Sequence, residues 1–148
     1  MPEDPRDDLH TTASHRLRGE GLRYTGSRRA VVDVLSASDR PLTIPEILHS
    51  DAGLAQSSVY RNLNELIAAG VVHRIVSGDE FNHFELAEDL TTHHHHLVCT
   101  HCGRVTDVTL DDRIEASLTR SLDQVAAEQG FTAEHHRLDV LGRCAACA

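Results

Sequence analysis

The chain has 148 residues, enough for one ordinary domain or two small ones, and with aromatics at only 3% any small unit has little bulk to bury and gains from a metal staple. All fourteen basic side chains are arginine against 23 acids, and a net charge of −9 excludes indiscriminate polyanion binding by the whole chain, which needs clustered positive charge. The charge is segregated: residues 14–77 carry eight Arg and six acids, residues 89–148 five Arg and nine acids, which predicts two units of different character.

Residues 1–12 hold two prolines and four acids (Glu3, Asp4, Asp7, Asp8) and are expected to form a disordered acidic tail. Helical spacing follows. Leu17 and Leu22 mark a first helix, Val31, Val32 and Leu35 a second after Thr25 or Ser27, and Ile44, Ile47 and Leu48 a third. The third opens on a capping box, Thr43-x-x-Glu46, with Pro45 in the first turn where its missing N–H costs nothing. A fourth helix is predicted over Ser57–Ala69, apolar at Val59, Leu63, Leu66 and Ile67, with Gly70 as its stop.

The period then changes. Val71–Val76 and Phe81–Leu86 are short extended runs about the turn chemistry of Ser77-Gly78-Asp79, a hairpin. Helices followed by a hairpin predict a winged helix-turn-helix over residues 13–87, whose last helix enters the major groove. The polar face of that helix carries Ser57, Ser58, Tyr60, Arg61 and Asn64, which can bond phosphates and base edges; the bland alternative is a solvated face.

Residues 88–92 read as a polar hinge, and residues 93–148 as a metal-binding unit. Extended signals at Leu97–Cys99, Val105–Leu110 and Arg137–Leu141 and a helix between about Asp112 and Gln129 predict a three-stranded sheet with one helix. Such a unit has one apolar face too many for a monomer, so a homodimer is expected. The expected fold class is α+β.

No apolar run approaches the ~20 residues of a membrane helix, and the opening MPEDPRDD lacks a signal-peptide pattern, so a cytoplasmic location is expected. The four cysteines therefore read as metal ligands or redox thiols before structural disulfides. Cys99-x-x-Cys102 and Cys144-x-x-Cys147 are two knuckles, each able to aim two sulfurs at one point, and together they supply the tetrahedral thiolate set of structural zinc. A thioredoxin-type pair and two local disulfides are the competing readings.

His93-His94-His95-His96 runs straight into the strand of the first knuckle. In an extended segment His93 and His95 share one face and His94 and His96 the other, so two metal sites can flank one strand. Further ligands are available in His73, His83 and Glu85 near the wing, Glu115 on the helix and His136 on the last strand. Imidazole and carboxylate suit Zn, Fe(II), Mn(II), Ni(II) and Co(II), and because imidazoles must be neutral to bind, affinity is expected to fall below about pH 6.5.

From about His15 to Cys147 the residues resemble the Fur (ferric uptake regulator) family of bacterial metal-dependent repressors, through Gly21-Leu-Arg-Tyr-Thr25-x-x-Arg28, Ser58-Val-Tyr-Arg-Asn-Leu63, the HHHHLVC-x-x-CG block and Gly142-x-Cys-x-x-Cys147. The resemblance implies a winged helix hinged to a C-terminal α/β dimerisation domain, and palindromic operators bound by the metal-loaded dimer. It implies structural zinc on Cys99, Cys102, Cys144 and Cys147, a hinge sensor site at His73, Glu85, His94 and His96, and a dimerisation-domain site at His93, His95, Glu115 and His136. His83 and Asp89 are alternatives to Glu85, and Arg23, Tyr24 and Arg28 join the DNA-binding set. The sensed metal is expected to be iron or zinc, with manganese and nickel as alternatives. The rival classes are a metal-storage or delivery protein, with no use for the Tyr60/Arg61 helix, and a zinc hydrolase, for which the H-E-x-x-H, G-x-S-x-G and phosphate-loop patterns are absent.

Overall fold

The computed structural model describes residues 5–77 and 81–148. Four helices come first: α1 (Pro5–Gly19), α2 (Gly26–Ala37), α3 (Ile44–Ser50) and α4 (Gln56–Ala68). An antiparallel hairpin follows, β1 (Val72–Ser77) with β2 (Phe81–Leu86), and Leu42 adds a one-residue bridge to Phe84. Gly78 and Asp79 of the expected turn lie outside the described residues.

Local chemistry sets the helix ends. Thr25 caps α2 by accepting from the Arg28 backbone N–H, and the Thr43/Glu46 capping box is closed in both directions around α3. Gly70 ends α4 at φ +75°, a conformation that Cβ-bearing residues avoid. The apolar faces meet in one core, with Leu17 of α1, Val31 and Val32 of α2, Ile47 of α3, Leu63 and Leu66 of α4 and Phe84 of β2 all buried.

The tail expected over residues 1–12 is instead helical from Pro5 onward. Asp7 and Asp8 fall in the first turn of α1, where carboxylates suit the helix N-terminus. Below them Ala13 is buried, and so is His10, bonded to Tyr24 Oη (2.5 Å) and Asp33 Oδ1 (2.7 Å). The acidic composition concealed this anchored face.

The hinge stretch contains a 3-10 turn, Glu88–Leu90. Beyond it lies a three-stranded sheet of order β4-β3-β5, from β3 (His95–Cys99), β4 (Val105–Val108) and β5 (Asp139–Gly142), with α5 (Asp112–Glu128) between the last two. β3 pairs antiparallel with β4 and parallel with β5, so that Asp107 and Asp139 both sit in register with His96. Asp111 caps α5 by accepting from the Arg113 N–H, and Gly130 follows its end at φ +70°.

The wing leans on this second sheet, where Ile75 of β1 packs with Val98 and Val105, all three buried. A cleft of about 970 Å³ remains between Tyr60 and Asn64 of α4 and the Cys102–Asp107 segment. No residue of α5 is buried: Ile114 and Val125 are each 58% exposed, and Val140 and Leu141 of β5 are exposed too. Among the described residues no helix is long and apolar enough to cross a membrane.

Candidate functional site

Three groups of ligating side chains occur among the described residues, each with its donor atoms within 4.8 Å of one another. The first is Cys99, Cys102, Cys144 and Cys147. Parallel pairing of β3 with β5 carries the two knuckles together, Thr100 N–H donating to the Gly142 carbonyl at 2.8 Å. Cys99 Sγ accepts from the backbone N–H groups of Cys102 (3.5 Å) and Cys144 (3.4 Å), which holds its thiol down to about 5. Cys102 and Cys144 sulfurs lie 3.7 Å apart, and the neighbouring Cys144 thiol pushes Cys147 up to about 12. Four thiolates this close repel one another, and a divalent cation relieves that repulsion, so the donor set fits structural zinc.

The second group is Glu85, His94, His96 and Asp107, gathered from β2 of the wing, the approach to β3, β3 itself and β4. His94 Nε2 and His96 Nε2 lie 2.9 and 3.2 Å from Glu85 Oε2. Asp107 oxygens lie 3.9 Å from His94 Nε2 and 3.6 Å from His96 Nε2, and Asp107 Oδ1 is a buried atom without a hydrogen-bond partner. The outward nitrogens are fixed: His94 Nδ1 bonds the Thr92 carbonyl at 2.8 Å and His96 Nδ1 bonds Asp139 Oδ1 at 2.9 Å. Such outer partners orient a ligating imidazole, leaving both Nε2 atoms aimed inward.

The charges fit a cation. Burial pushes His96 down, but the Glu85 bond and charge, with help from Asp139 and Asp107, raise it to about 9. Burial pushes Glu85 up, and the hydrogen bonds with His96 and His94 overcome this to hold it below the usual range.

The third group is His93, His95, Glu115 and His136. The Nε2 atoms of all three histidines lie 2.8 Å from a Glu115 oxygen. Hydrogen bonding with His95 lowers Glu115 to about 2, and His136 Nε2 is buried without a correctly directed partner. Three imidazoles and a carboxylate converging around an orphaned nitrogen fit a tetrahedral divalent metal.

His73 faces Glu85 across the hairpin and lines one small cavity with Glu85, His94 and His96, though its donor atoms stand outside the tight second group; Arg137 Nη1 lies 2.7 Å from its Nδ1, and burial together with that guanidinium charge lowers its pKa. The fourth donor is Asp107, which the sequence reading missed because only the β3–β4 register puts it beside His96. The alternatives to Glu85 also lie elsewhere: His83 is buried on β2 outside all three groups, and Asp89 pairs with Arg16.

On the candidate DNA face, Ser57, Tyr60, Arg61 and Asn64 of α4 are exposed, as is Arg23, with Ser58 half-buried. Tyr24 is tied to His10, and its hydroxyl is pushed up to about 12 by burial. Arg28 points inward, its side chain only 11% exposed, paired with Glu65 of α4 and donating to the Arg23 carbonyl. Beside it Asn62 donates to Ser27 Oγ at 3.1 Å. Arg28→Ala is therefore expected to lower the unfolding free energy by about 2 kcal/mol, because a charged hydrogen-bonding pair is broken. Urea denaturation of the two proteins measures this, and unchanged stability would return Arg28 to the DNA face.

A wing that brings a carboxylate beside a histidine cluster in the neighbouring unit is an arrangement through which metal binding could act on a helix-turn-helix fold. The profile of the Ferric uptake regulator family matches residues 19–141. The ferric uptake regulation protein of Shigella flexneri is 35% identical over 136 residues, 87% of this chain and 86% of that protein. The peroxide operon regulator of Bacillus subtilis is 29% identical over 141 residues, 92% and 91% of the two chains. The Helicobacter pylori ferric uptake regulator, a structure described as having three functional metal binding sites, superposes with a TM-score of 0.72 at 26% identity, covering 96% of this chain and 93% of that one. The chain belongs to the ferric uptake regulator family of metal-responsive transcriptional repressors.

Proposed function

We propose that this protein is a cytoplasmic repressor that binds palindromic operator DNA as a homodimer when a divalent metal, iron above the others, fills the Glu85/His94/His96/Asp107 group. The observation that carries this reading is the origin of Glu85: it comes from the wing, whereas His94, His96 and Asp107 belong to residues 93–148. A metal held by all four residues cross-links the DNA-binding unit (13–87 with the start of α1) to the unit across the hinge at 88–92, narrowing the range of orientations between them. Two imidazoles and two carboxylates, without thiolate, favour Fe(II) or Mn(II), whereas His93, His95, Glu115 and His136 suit Zn(II). Zinc on the four cysteines is structural.

The exposed apolar side chains of α5 and β5 support dimerisation, since an amphipathic helix without a buried residue needs a partner surface. The dimer sets the spacing of two α4 helices, whose Tyr60, Arg61 and Asn64, with Ser57, Ser58 and Arg23, reach the grooves.

Fluorescence anisotropy tests this, using a duplex selected from random sequence by the metal-loaded protein and titrating Fe(II), Mn(II), Zn(II) or Ni(II) into protein that retains only its cysteine-bound zinc. Metal is expected to tighten binding by roughly 5–150-fold. Arg61→Ala should weaken binding at every metal concentration while leaving that ratio intact. DNA affinity indifferent to metal would refute the switch.

A pH dependence follows from His96. Its value in the folded chain, about 9, lies above the ~6.5 of an unfolded histidine, so its proton stabilises the metal-free docked arrangement fully below pH ~6.5, an effect lost as pH rises through 9. Metal must displace that proton. Apparent Mn(II) affinity is therefore expected to keep rising between pH 6.5 and 8.5, by up to about tenfold per unit, instead of levelling off near 6.5. Calorimetry in buffers of different ionisation enthalpy counts the released proton, and a flat profile above pH 7 would contradict it.

A further inference from the structure

The 3-10 turn Glu88–Leu90 is gripped from two sides. Glu88 Oε1 bonds His93 Nδ1, and the other nitrogen of that ring, Nε2, lies 2.8 Å from Glu115 Oε1 within the His93/His95/Glu115/His136 group. The next residue, Asp89, is held by Arg16 of α1, with Nη1 3.3 Å from Oδ1 and Nη2 on Oδ2. Arg16 Nη1 also donates to the Gly70 carbonyl at 2.7 Å, at the end of α4. One guanidinium thus joins α1, the exit from α4 and the hinge. α1 is in turn fastened to Tyr24 and Asp33 through buried His10.

From this juxtaposition we infer that Arg16 and Asp89 are positioning residues that couple occupancy of the His93/His95/Glu115/His136 group to the placement of α1 and of the Arg23–Tyr24 segment behind it. The inference rests on reading that group as a metal site. A ligating imidazole donates its second N–H to an outer carboxylate, and Glu88 is that carboxylate for His93. Fixing the ring fixes Glu88, and with it the turn that presents Asp89 to Arg16. Neither Arg16 nor Asp89 belongs to a ligating group, and their side chains are 27% and 62% exposed, so the pair contributes little to stability on its own. Its bidentate form supplies geometry, joining α1 to the hinge turn through two parallel contacts.

Hydrogen exchange of the α1 amides tests the coupling, with Zn(II) added to full-length protein whose cysteine site is already filled and bound metal counted by elemental analysis. In the unaltered protein Zn(II) should slow α1 exchange on the order of tenfold. Arg16→Ala and Asp89→Asn should bind the same number of ions yet slow by less than about twofold, and the exchanged pair Arg16→Asp with Asp89→Arg should recover the response. A purely structural role would shift exchange equally with and without Zn(II). Undiminished metal-induced protection in Arg16→Ala overturns the inference while leaving the metal site standing. If His136→Ala removes no bound metal and leaves the response in place, the site and the inference fall together.

Discussion

Cys99→Ser is expected to cost the second sheet its structure. In small zinc domains the metal supplies about 10–16 kcal/mol of folding free energy, more than the whole stability of a typical domain. Here the core beyond the hinge is slight: Val98 and Val105 are its buried aliphatic residues in the sheet, and α5 has no buried residue. The variant should retain less than one tightly held zinc per chain, sediment as a monomer and lose the parallel pairing of β3 with β5. The helices before the wing should still unfold cooperatively, because their core draws on a separate set of side chains. Elemental analysis, sedimentation velocity and thermal circular dichroism together read this outcome. A dimeric Cys99→Ser protein with one intact transition would show that the sheet stands without its staple.

Glu85→Ala carries the second large effect. Even outer-shell partners of metal ligands are worth ~10–100-fold in affinity, and in the proposed site Glu85 would be a direct donor, its oxygens 2.9–3.2 Å from both imidazoles. Loss of Mn(II) affinity by at least that factor is expected from calorimetry. The more telling loss is in the response. His94, His96 and Asp107 can still share an ion, but without the wing's carboxylate that ion no longer favours one domain orientation over another. The metal-induced gain in DNA affinity should therefore fall towards unity, whereas His136→Ala should spare it. A Glu85→Ala protein that binds metal weakly yet keeps its full gain would place the switch elsewhere.

Much of this architecture is legible in the residues because it is local. The Thr43/Glu46 box, the stop at Gly70 and the two C-x-x-C knuckles each declare themselves within a few positions. The period of the histidine run places alternate rings on opposite sides of β3, as the structure shows, because strand geometry leaves no other choice. What stays hidden depends on register and on distant partners. Asp107 joins His96 only once β4 is aligned with β3, and Arg28 withdraws from the surface only because Glu65 lies beside it on α4. His73 illustrates the same limit: it faces Glu85 across the hairpin, and Arg137, 64 residues further along the chain, lies against its ring. In α1, acidic composition masked a buried histidine whose partners lie 14 and 23 residues away.

The parallel partnership of β3 with β5 also imposes an order of events on the ribosome. The histidine strand emerges some forty residues before β5, His136 and the second knuckle, so it waits without its neighbours while α5 is translated. The helices ahead of the wing, stitched by contacts among themselves, can settle first. A nascent molecule is therefore able to shape its groove-reading surface before it is able to taste its ion, and competence to respond arrives last.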